Sequence, residues 1–217
     1  MTDFAKRRTT MVDTQVRPSD VTKFPIIDAM LSVPRELFVP ADKREAAYVG
    51  EHVALGGGRV VLDPRTLAKM LEAADIQPDE MVLDIGAGLG YSSALCARLA
   101  EAVIALEDDA DKVAEAERAL SDAGIDNVAV VEGILAEGAA KHGPYDVILI
   151  QGAVQHMPEV ISDQLKDGGR LVAIFQEGAL GVVRVGYMID GAVSWRFVFN
   201  AGAPVVPGFE AERAFVL

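Results

Sequence analysis

The chain has 217 residues, enough for one substantial domain with an added segment, and 51% of them are apolar, so a full core can be buried. Its formal net charge of −13 gives a surface that repels phosphate backbones, which argues against nucleic acid as a partner. Cys96 is the single cysteine and favours a reducing, cytoplasmic location, while no apolar run approaches the ~20 residues of a membrane span.

The first part of the chain, residues 1–62, is predicted to be a helical segment that packs on the core and ends in a substrate loop. Ser19 or Asp20 could cap a helix that runs toward Met30. Residues 47–62 then form an apolar stretch with three consecutive glycines at its centre. This stretch is predicted to be a loop.

Residues 63–217 are predicted to form the main domain, which makes one structural unit with the preceding segment. It opens on a helix with Asp63 as the N-cap and Pro64 at the first helical position. Five strand-like runs then alternate with helix-like runs, which predicts a parallel doubly wound sheet. The strand-like runs are Met81–Ile85, Val103–Leu106, Val128–Val131, Val147–Ile150 and Arg170–Phe175.

Two late strands are predicted at 182–189 and 193–200, on either side of an Asp-Gly dipeptide that is a hairpin signal. The tail, 201–217, is predicted to be loop-like. The predicted fold class is therefore α/β. It is a doubly wound, mostly parallel Rossmann-like sheet with a helical N-terminal extension and a late antiparallel strand pair.

A glycine-rich loop follows the first of the five strands. Gly86, Gly88 and Gly90 alternate with other residues, Ala87 among them, and Asp84 stands two residues before the first glycine. Glycines let a backbone approach a ligand closely, and the N–H groups of the helix that follows point into the same gap. The spacing differs from the G-x-G-x-x-G of dinucleotide sites and is typical of S-adenosylmethionine (SAM) methyltransferases.

The acid before the glycines supports the same cofactor. The Asp84 carboxylate would repel the pyrophosphate of NAD, whereas it suits the ammonium group of a methionine moiety, directly or through water. A NAD-dependent dehydrogenase is therefore the least favoured interpretation. We predict SAM as the cofactor, with Asp84 and the glycine loop as contacts.

A second acid, Glu107, ends the second strand about twenty residues after the first glycine. An acid at that position takes both ribose hydroxyls, so Glu107 is the predicted ribose ligand. Asp108 and Asp109 follow at once, which leaves an ambiguity of one residue, and Asp109 is interpreted as a helix cap. The three histidines lack metal-ligand spacing, and no metal is predicted.

Six further segments have distinctive sequences that can be compared with known families. In chain order they are Met11–Val16, Val33–Pro40, Ala47-Tyr48, Asn127-Val128, Pro144–Asp146 and Gln164–Val172. Together with the glycine loop they resemble the protein-L-isoaspartate O-methyltransferase family, from about residue 8 to about residue 176. The resemblance implies a SAM-dependent carboxyl O-methyltransferase of protein repair. Its partner would be an isoaspartyl carboxylate of a damaged protein or peptide, with no nucleic acid or membrane involved.

Two departures from the family pattern bear on the site. The family has Gly-Gln-Thr-Ile-Ser-Gln-Pro before the helix, with a serine taken to be catalytic, whereas this chain has Leu62 at the serine position and Arg59 and Val60 for glutamine and threonine. Arg59 could hold a substrate carboxylate or be an ordinary exposed arginine. The family also has Gly-Asp-Gly after the third strand, and Ile134 replaces the acid that contacts adenine.

These departures leave three functions open and no assigned catalytic residue. The leading hypothesis is a SAM-dependent carboxyl methyltransferase that repairs isoaspartyl groups. The second is a SAM-binding relative that has lost isoaspartyl methylation, and the third is a SAM methyltransferase that acts on another carboxylate.

Overall fold

The computed structural model describes residues 3–211, so the end of the tail predicted to be loop-like, 212–217, lies outside the described residues. The N-terminal part is helical, as predicted. It contains the helices Phe4–Met11 (α1) and Phe24–Ser32 (α2), a π-turn at Val12–Val16, and 3-10 turns at Arg17–Ser19, Arg35–Phe38 and Ala41–Ala46.

Helix α2 begins later than predicted, and neither Ser19 nor Asp20 caps it. Asp20 has a left-handed φ of 62° and closes the preceding 3-10 turn. Lys23 precedes the helix and makes no side-chain cap hydrogen bond. Pro25 lies in the first turn, where its fixed φ suits a helix start.

The stretch 47–62, predicted as a loop, contains a β-hairpin. Strands Val53–Gly56 (β1) and Arg59–Val61 (β2) pair antiparallel and form a two-stranded sheet of their own. The three glycines at the turn have φ between 59° and 86°, a region that glycine adopts without strain. This hairpin carries Arg59 toward the main sheet.

A seven-stranded sheet forms the centre of the domain. Its strands are Met81–Ile85 (β3), Ala102–Glu107 (β4), Val128–Glu132 (β5), Tyr145–Val154 (β6), Leu165–Glu177 (β7), Leu180–Ile189 (β8) and Ala192–Asn200 (β9). Their order in the sheet is β5-β4-β3-β6-β7-β8-β9. The strands from β5 to β7 run parallel, and β8 and β9 add antiparallel pairs. The predicted fold class is confirmed.

Helices cover both faces of this sheet: Pro64–Ala74 (α3), Tyr91–Ala97 (α4), Ala110–Asp122 (α5) and the single turn Glu159–Ser162 (α6). The order of strands reverses at β3, which lies between β4 and β6. Open α/β sheets bind ligands at the carboxyl ends of their strands at such a point. Among the described residues, no helix is long and apolar enough to cross a membrane.

One of the two cores joins the N-terminal segment to the sheet. It includes Val12, Met30 and Phe38 from that segment, with Leu67, Tyr91, Leu95, Val147 and Val172 from the domain that follows. The second core, on the other face, includes Leu83, Leu135, Tyr145, Ile148 and Phe209. The N-terminal segment is therefore part of the packing that holds β3 and α4 in place.

Candidate functional site

The glycine loop turns the chain sharply between β3 and α4. Gly86, Gly88 and Gly90 have φ of 77°, 59° and 93°, and side chains are strained at such angles. The N–H of Gly86 donates to the carbonyl of Leu106 at 2.8 Å, so the loop lies against the end of β4. The loop therefore adjoins the acid that ends that strand.

Asp84 is fully buried at the carboxyl end of β3. Its Oδ2 accepts hydrogen bonds from the hydroxyls of Ser92 at 2.6 Å and Ser93 at 2.5 Å, and its Oδ1 accepts from the Gln151 amide at 2.7 Å. Burial raises the pKa of the Asp84 carboxyl, and these three donors oppose the rise. The two serines follow Gly90 after one intervening residue, a signal in the sequence that the prediction does not use.

Glu107 is also fully buried, and both of its carboxylate oxygens are paired with Arg59. Arg59 Nη1 donates to Oε1 at 3.1 Å and Nη2 donates to Oε2 at 3.0 Å. The backbone N–H groups of Gly88 and Asp108 donate to the same carboxylate at 2.7 and 3.2 Å. Burial raises the pKa of Glu107, and the facing guanidinium opposes that rise.

Arg59 is therefore neither exposed nor free to hold a substrate in this conformation. Its Nη1 also donates to Asp108 Oδ1 at 3.1 Å, and the residue is 5% exposed. The hairpin places the guanidinium over Gly86, where an added Cβ would lie 2.6 Å from Nη2. In the same way, a Cβ on Gly88 would lie 2.5 Å from Leu55 Cδ1.

These contacts decide how well the site fits a SAM molecule. The two acids and the glycine loop have the chemistry that such a cofactor needs, but the hairpin fills the space in front of them. A cavity of about 10 Å³ lies between Leu62 on the hairpin side and Ala87, Ser92 and Gln151. Small-molecule sites measure about 300–1,000 Å³. In this conformation, Arg59 lies against Glu107 and Gly86, Leu55 lies against Gly88, and the space between Leu62 and Gln151 is far smaller than a small-molecule site.

Two other predicted residues make no hydrogen bond to the acids of this cluster through their side chains. Leu62 is buried in the core, and its carbonyl accepts from Arg35 Nη2 at 2.8 Å. Ile134 is 60% exposed in the turn that follows β5. Asp63 and Asp109 cap α3 and α5, as the sequence predicted.

Arg35 is a buried residue of the site region that the prediction did not single out. Its Nε donates to the carbonyl of Ala47 at 2.6 Å, and its guanidinium carbon lies 4.7 Å from the centroid of the Tyr91 ring. Burial lowers the pKa of this guanidinium, and the neighbouring Tyr91 opposes the change. Because Arg35 also binds the carbonyl of Leu62, it fixes the base of the hairpin to α4.

Sequence comparisons identify a family. The family model of protein-L-isoaspartate(D-aspartate) O-methyltransferase (PCMT) matches residues 6–193. A protein-L-isoaspartate O-methyltransferase of Koribacter versatilis is 38% identical over 172 residues, 79% of this chain and 78% of that protein. One from Synechococcus is 40% identical over 169 residues, 78% of this chain and 69% of that protein.

Solved structures show the same fold. A protein-L-isoaspartate O-methyltransferase superposes with a TM-score of 0.77 at 24% identity, covering 94% of this chain and 65% of that one. A Plasmodium falciparum protein described as a beta-aspartate methyltransferase superposes with a TM-score of 0.79 at 18% identity, covering 94% of this chain and 98% of that one. That structure was determined in complex with S-adenosyl-L-homocysteine.

Proposed function

Because the chain belongs to the protein-L-isoaspartate(D-aspartate) O-methyltransferase family, we propose that it transfers a methyl group from SAM to a carboxylate of a damaged protein or peptide. The family match over residues 6–193 carries this proposal. The meeting of Asp84, the glycine loop and Glu107 at the carboxyl ends of β3 and β4 supports it.

The proposed reaction depends more on positioning the substrate carboxylate against the methyl group than on acid–base chemistry. SAM supplies an electrophilic methyl group on a sulfonium. A substrate carboxyl has a pKa of about 4, so it is ionised at neutral pH without a general base. In-line positioning contributes about 7–11 kcal/mol in well-oriented reactions. The loss of one hydroxyl at position 62 is therefore compatible with activity.

The buried leucine still has a consequence for the substrate. Leu62 offers no hydrogen bond, and each substrate hydrogen bond left unmade costs roughly 1–3 kcal/mol. We therefore expect methylation of isoaspartyl peptides to be slow relative to enzymes with the family serine.

A second candidate function is a SAM-binding relative that has lost isoaspartyl methylation. The observation that favours it is the pairing of Arg59 with Glu107, together with the burial of Leu62 in the core. These two observations support this candidate because Arg59 contacts the proposed ribose ligand and Leu62 stands at the family serine position.

The experiment is transfer of tritiated methyl from SAM to an isoaspartyl peptide, with the aspartyl peptide of the same sequence as the control. The proposal expects slow transfer to the isoaspartyl form only. The variant R59Q/V60T/L62S restores the family pattern and is expected to be faster. Since Leu62 is buried, folding of the variant is checked by circular dichroism. No transfer by either protein, when both bind SAM, would favour the second candidate.

Partner class and location are proposed on the same basis. A formal net charge of −13 disfavours nucleic acid as a partner, and a protein or peptide carboxylate remains the proposed substrate. The single cysteine, Cys96, is buried as a free thiol, and we propose a cytoplasmic location in keeping with it.

A further inference from the structure

The β1–β2 hairpin reaches the glycine loop through two side chains. Arg59 presents two donors to the two carboxylate oxygens of Glu107, the same number that a ribose diol would present. Leu55 lies against Gly88, in the space that the missing Cβ leaves open. The hairpin therefore contacts both the Glu107 carboxylate and the space beside Gly88, the two places that are expected to bind the cofactor.

The Arg59 contact is strong but incomplete. Its two terminal nitrogens are paired with Glu107 and Asp108, yet its Nε is buried and has no hydrogen-bond partner among residues 3–211. A buried donor without a partner costs free energy. Opening the hairpin would let water reach that nitrogen, which partly offsets the loss of the ion pairs.

The hairpin is also separate from the central sheet, although Lys43 Nζ donates to the carbonyl of Ala54 in β1 at 2.6 Å. It is a two-stranded sheet separate from the seven-stranded one, and such a hairpin has little stability of its own. Its two ends are tied together at the base, where His52 Nδ1 accepts from the N–H of Asp63 at 2.9 Å. Val53 and Val61 are buried near that base, whereas the glycine turn at the tip is exposed.

We propose that the β1–β2 hairpin is a lid whose Arg59 occupies the ribose position on Glu107 until the cofactor displaces it. The proposal rests on the proposed function, from which the cofactor is taken. The apparent dissociation constant is then the intrinsic constant divided by the fraction of molecules with the lid open. Arg59 is thus a determinant of cofactor affinity through its competition for Glu107.

The test is calorimetry with S-adenosylhomocysteine on wild type, R59Q and R65Q. The lid predicts that R59Q binds about ten-fold tighter or more, because the closed state loses its ion pairs. Arg65 is exposed on α3, so R65Q is the matched control for a lost positive charge and is expected to bind like wild type. R59K keeps the charge without the fork that pairs both oxygens and is expected to lie between wild type and R59Q.

Hydrogen exchange of residues 53–61 gives a second readout that needs no catalysis. These amides are expected to exchange faster in ligand-free R59Q than in wild type, and faster in wild type once S-adenosylhomocysteine is bound. If R59Q fails to fold, the lid is tested by the affinity of R59K for S-adenosylhomocysteine and by the hydrogen exchange of wild type with and without that ligand. Equal or weaker binding by the Arg59 variants, unchanged exchange on binding, or no binding by any of the proteins would overturn the lid. Tighter binding by R59Q, together with no methyl transfer by wild type or by R59Q/V60T/L62S, would overturn the proposed function and leave the lid intact.

Discussion

Arg59 places one positive charge between the carboxylates of Glu107 and Asp108, and it is 5% exposed. Taking such charges out of water costs several kcal/mol per ion, and their attraction repays it only when the geometry is good. Here both oxygens of Glu107 are paired, so a ribose diol that replaces Arg59 keeps the two hydrogen bonds and loses the opposite charge. Arg59 therefore influences the affinity for the cofactor in this proposal, although it does not contact the reacting atoms.

The role of Glu107 can be separated from that of Arg59. In an R59Q background the lid contact is already lost, so the further change E107A removes only the proposed ribose acceptor. We expect S-adenosylhomocysteine to bind about ten-fold more weakly to R59Q/E107A than to R59Q, since a hydrogen bond to a charged group contributes roughly 1.5–3 kcal/mol. Calorimetry measures the dissociation constants of both variants. Equal affinities would remove Glu107 from the proposed cofactor site.

Ile134 is proposed to contact the adenine ring in place of the family's acid. Because its side chain is 60% exposed, I134D can be made without disturbing a core. The new carboxylate would accept from the adenine amino group, so we expect tighter binding of S-adenosylhomocysteine than to wild type. Weaker binding by a folded I134D protein, measured by calorimetry, would mean that position 134 does not face the adenine.

Asp84 predicts a pH dependence of stability in the ligand-free protein. Burial raises its pKa in the folded state, so the folded protein binds this proton more readily than the unfolded chain. The free energy of unfolding of wild type relative to D84N is therefore expected to fall as the pH rises from about 4 toward neutrality. Urea unfolding of both proteins at matched pH values measures the difference. A difference that stays constant or grows over this range would contradict the assignment.

At the scale of elements, the sequence predicts the strands, helix caps and turns that depend on residues close together in the chain. The five parallel strands are found where the pattern predicts them, Asp63 and Asp109 cap their helices, and Asp190-Gly191 turns β8 into β9. The predicted alternation with helices fails once, because only 3-10 turns at Leu135–Glu137 and Ala140–His142 connect β5 to β6. The β1–β2 hairpin was not predicted, because β2 has only three residues and the glycine turn resembles an open loop. The direction of Arg59 depends on that hairpin, so no pattern near residue 59 could place it on Glu107, 48 positions away.

The start of α3 connects the hairpin to the main domain. Asp63 Oδ1 accepts from the N–H of Thr66 at 2.9 Å and caps the helix. D63A is expected to lower the free energy of unfolding by about 1 kcal/mol in urea, since an N-cap aspartate satisfies a helix donor that alanine cannot. R65A, an exposed change two residues further along the chain, is the control and is expected to stay within about 0.5 kcal/mol of wild type. Equal effects of the two changes would argue against a capping role.

At the scale of the whole molecule, the N-terminal segment and the sheet share one core. Phe38 is fully buried in that segment, and its ring centroid lies 5.9 Å from that of Tyr91 in α4. The hydrophobic pattern predicted helices in the segment, but their packing over α4 depends on contacts between residues far apart in the chain. Since α4 follows the glycine loop directly, the segment also holds the candidate site in place.

This shared core predicts that the segment does not unfold on its own. F38A should lower the free energy of unfolding by about 3–5 kcal/mol, because it leaves a cavity in the joint core. Trp195 lies in β9, at the far edge of the sheet, so its fluorescence reports the sheet alone, while far-UV circular dichroism reports all elements. F38A is expected to shift the urea midpoints of both signals equally. F24A, at a side chain 71% exposed, should leave both unchanged. A shift in circular dichroism without one in Trp195 fluorescence would show that residues 3–62 form a separate folding unit.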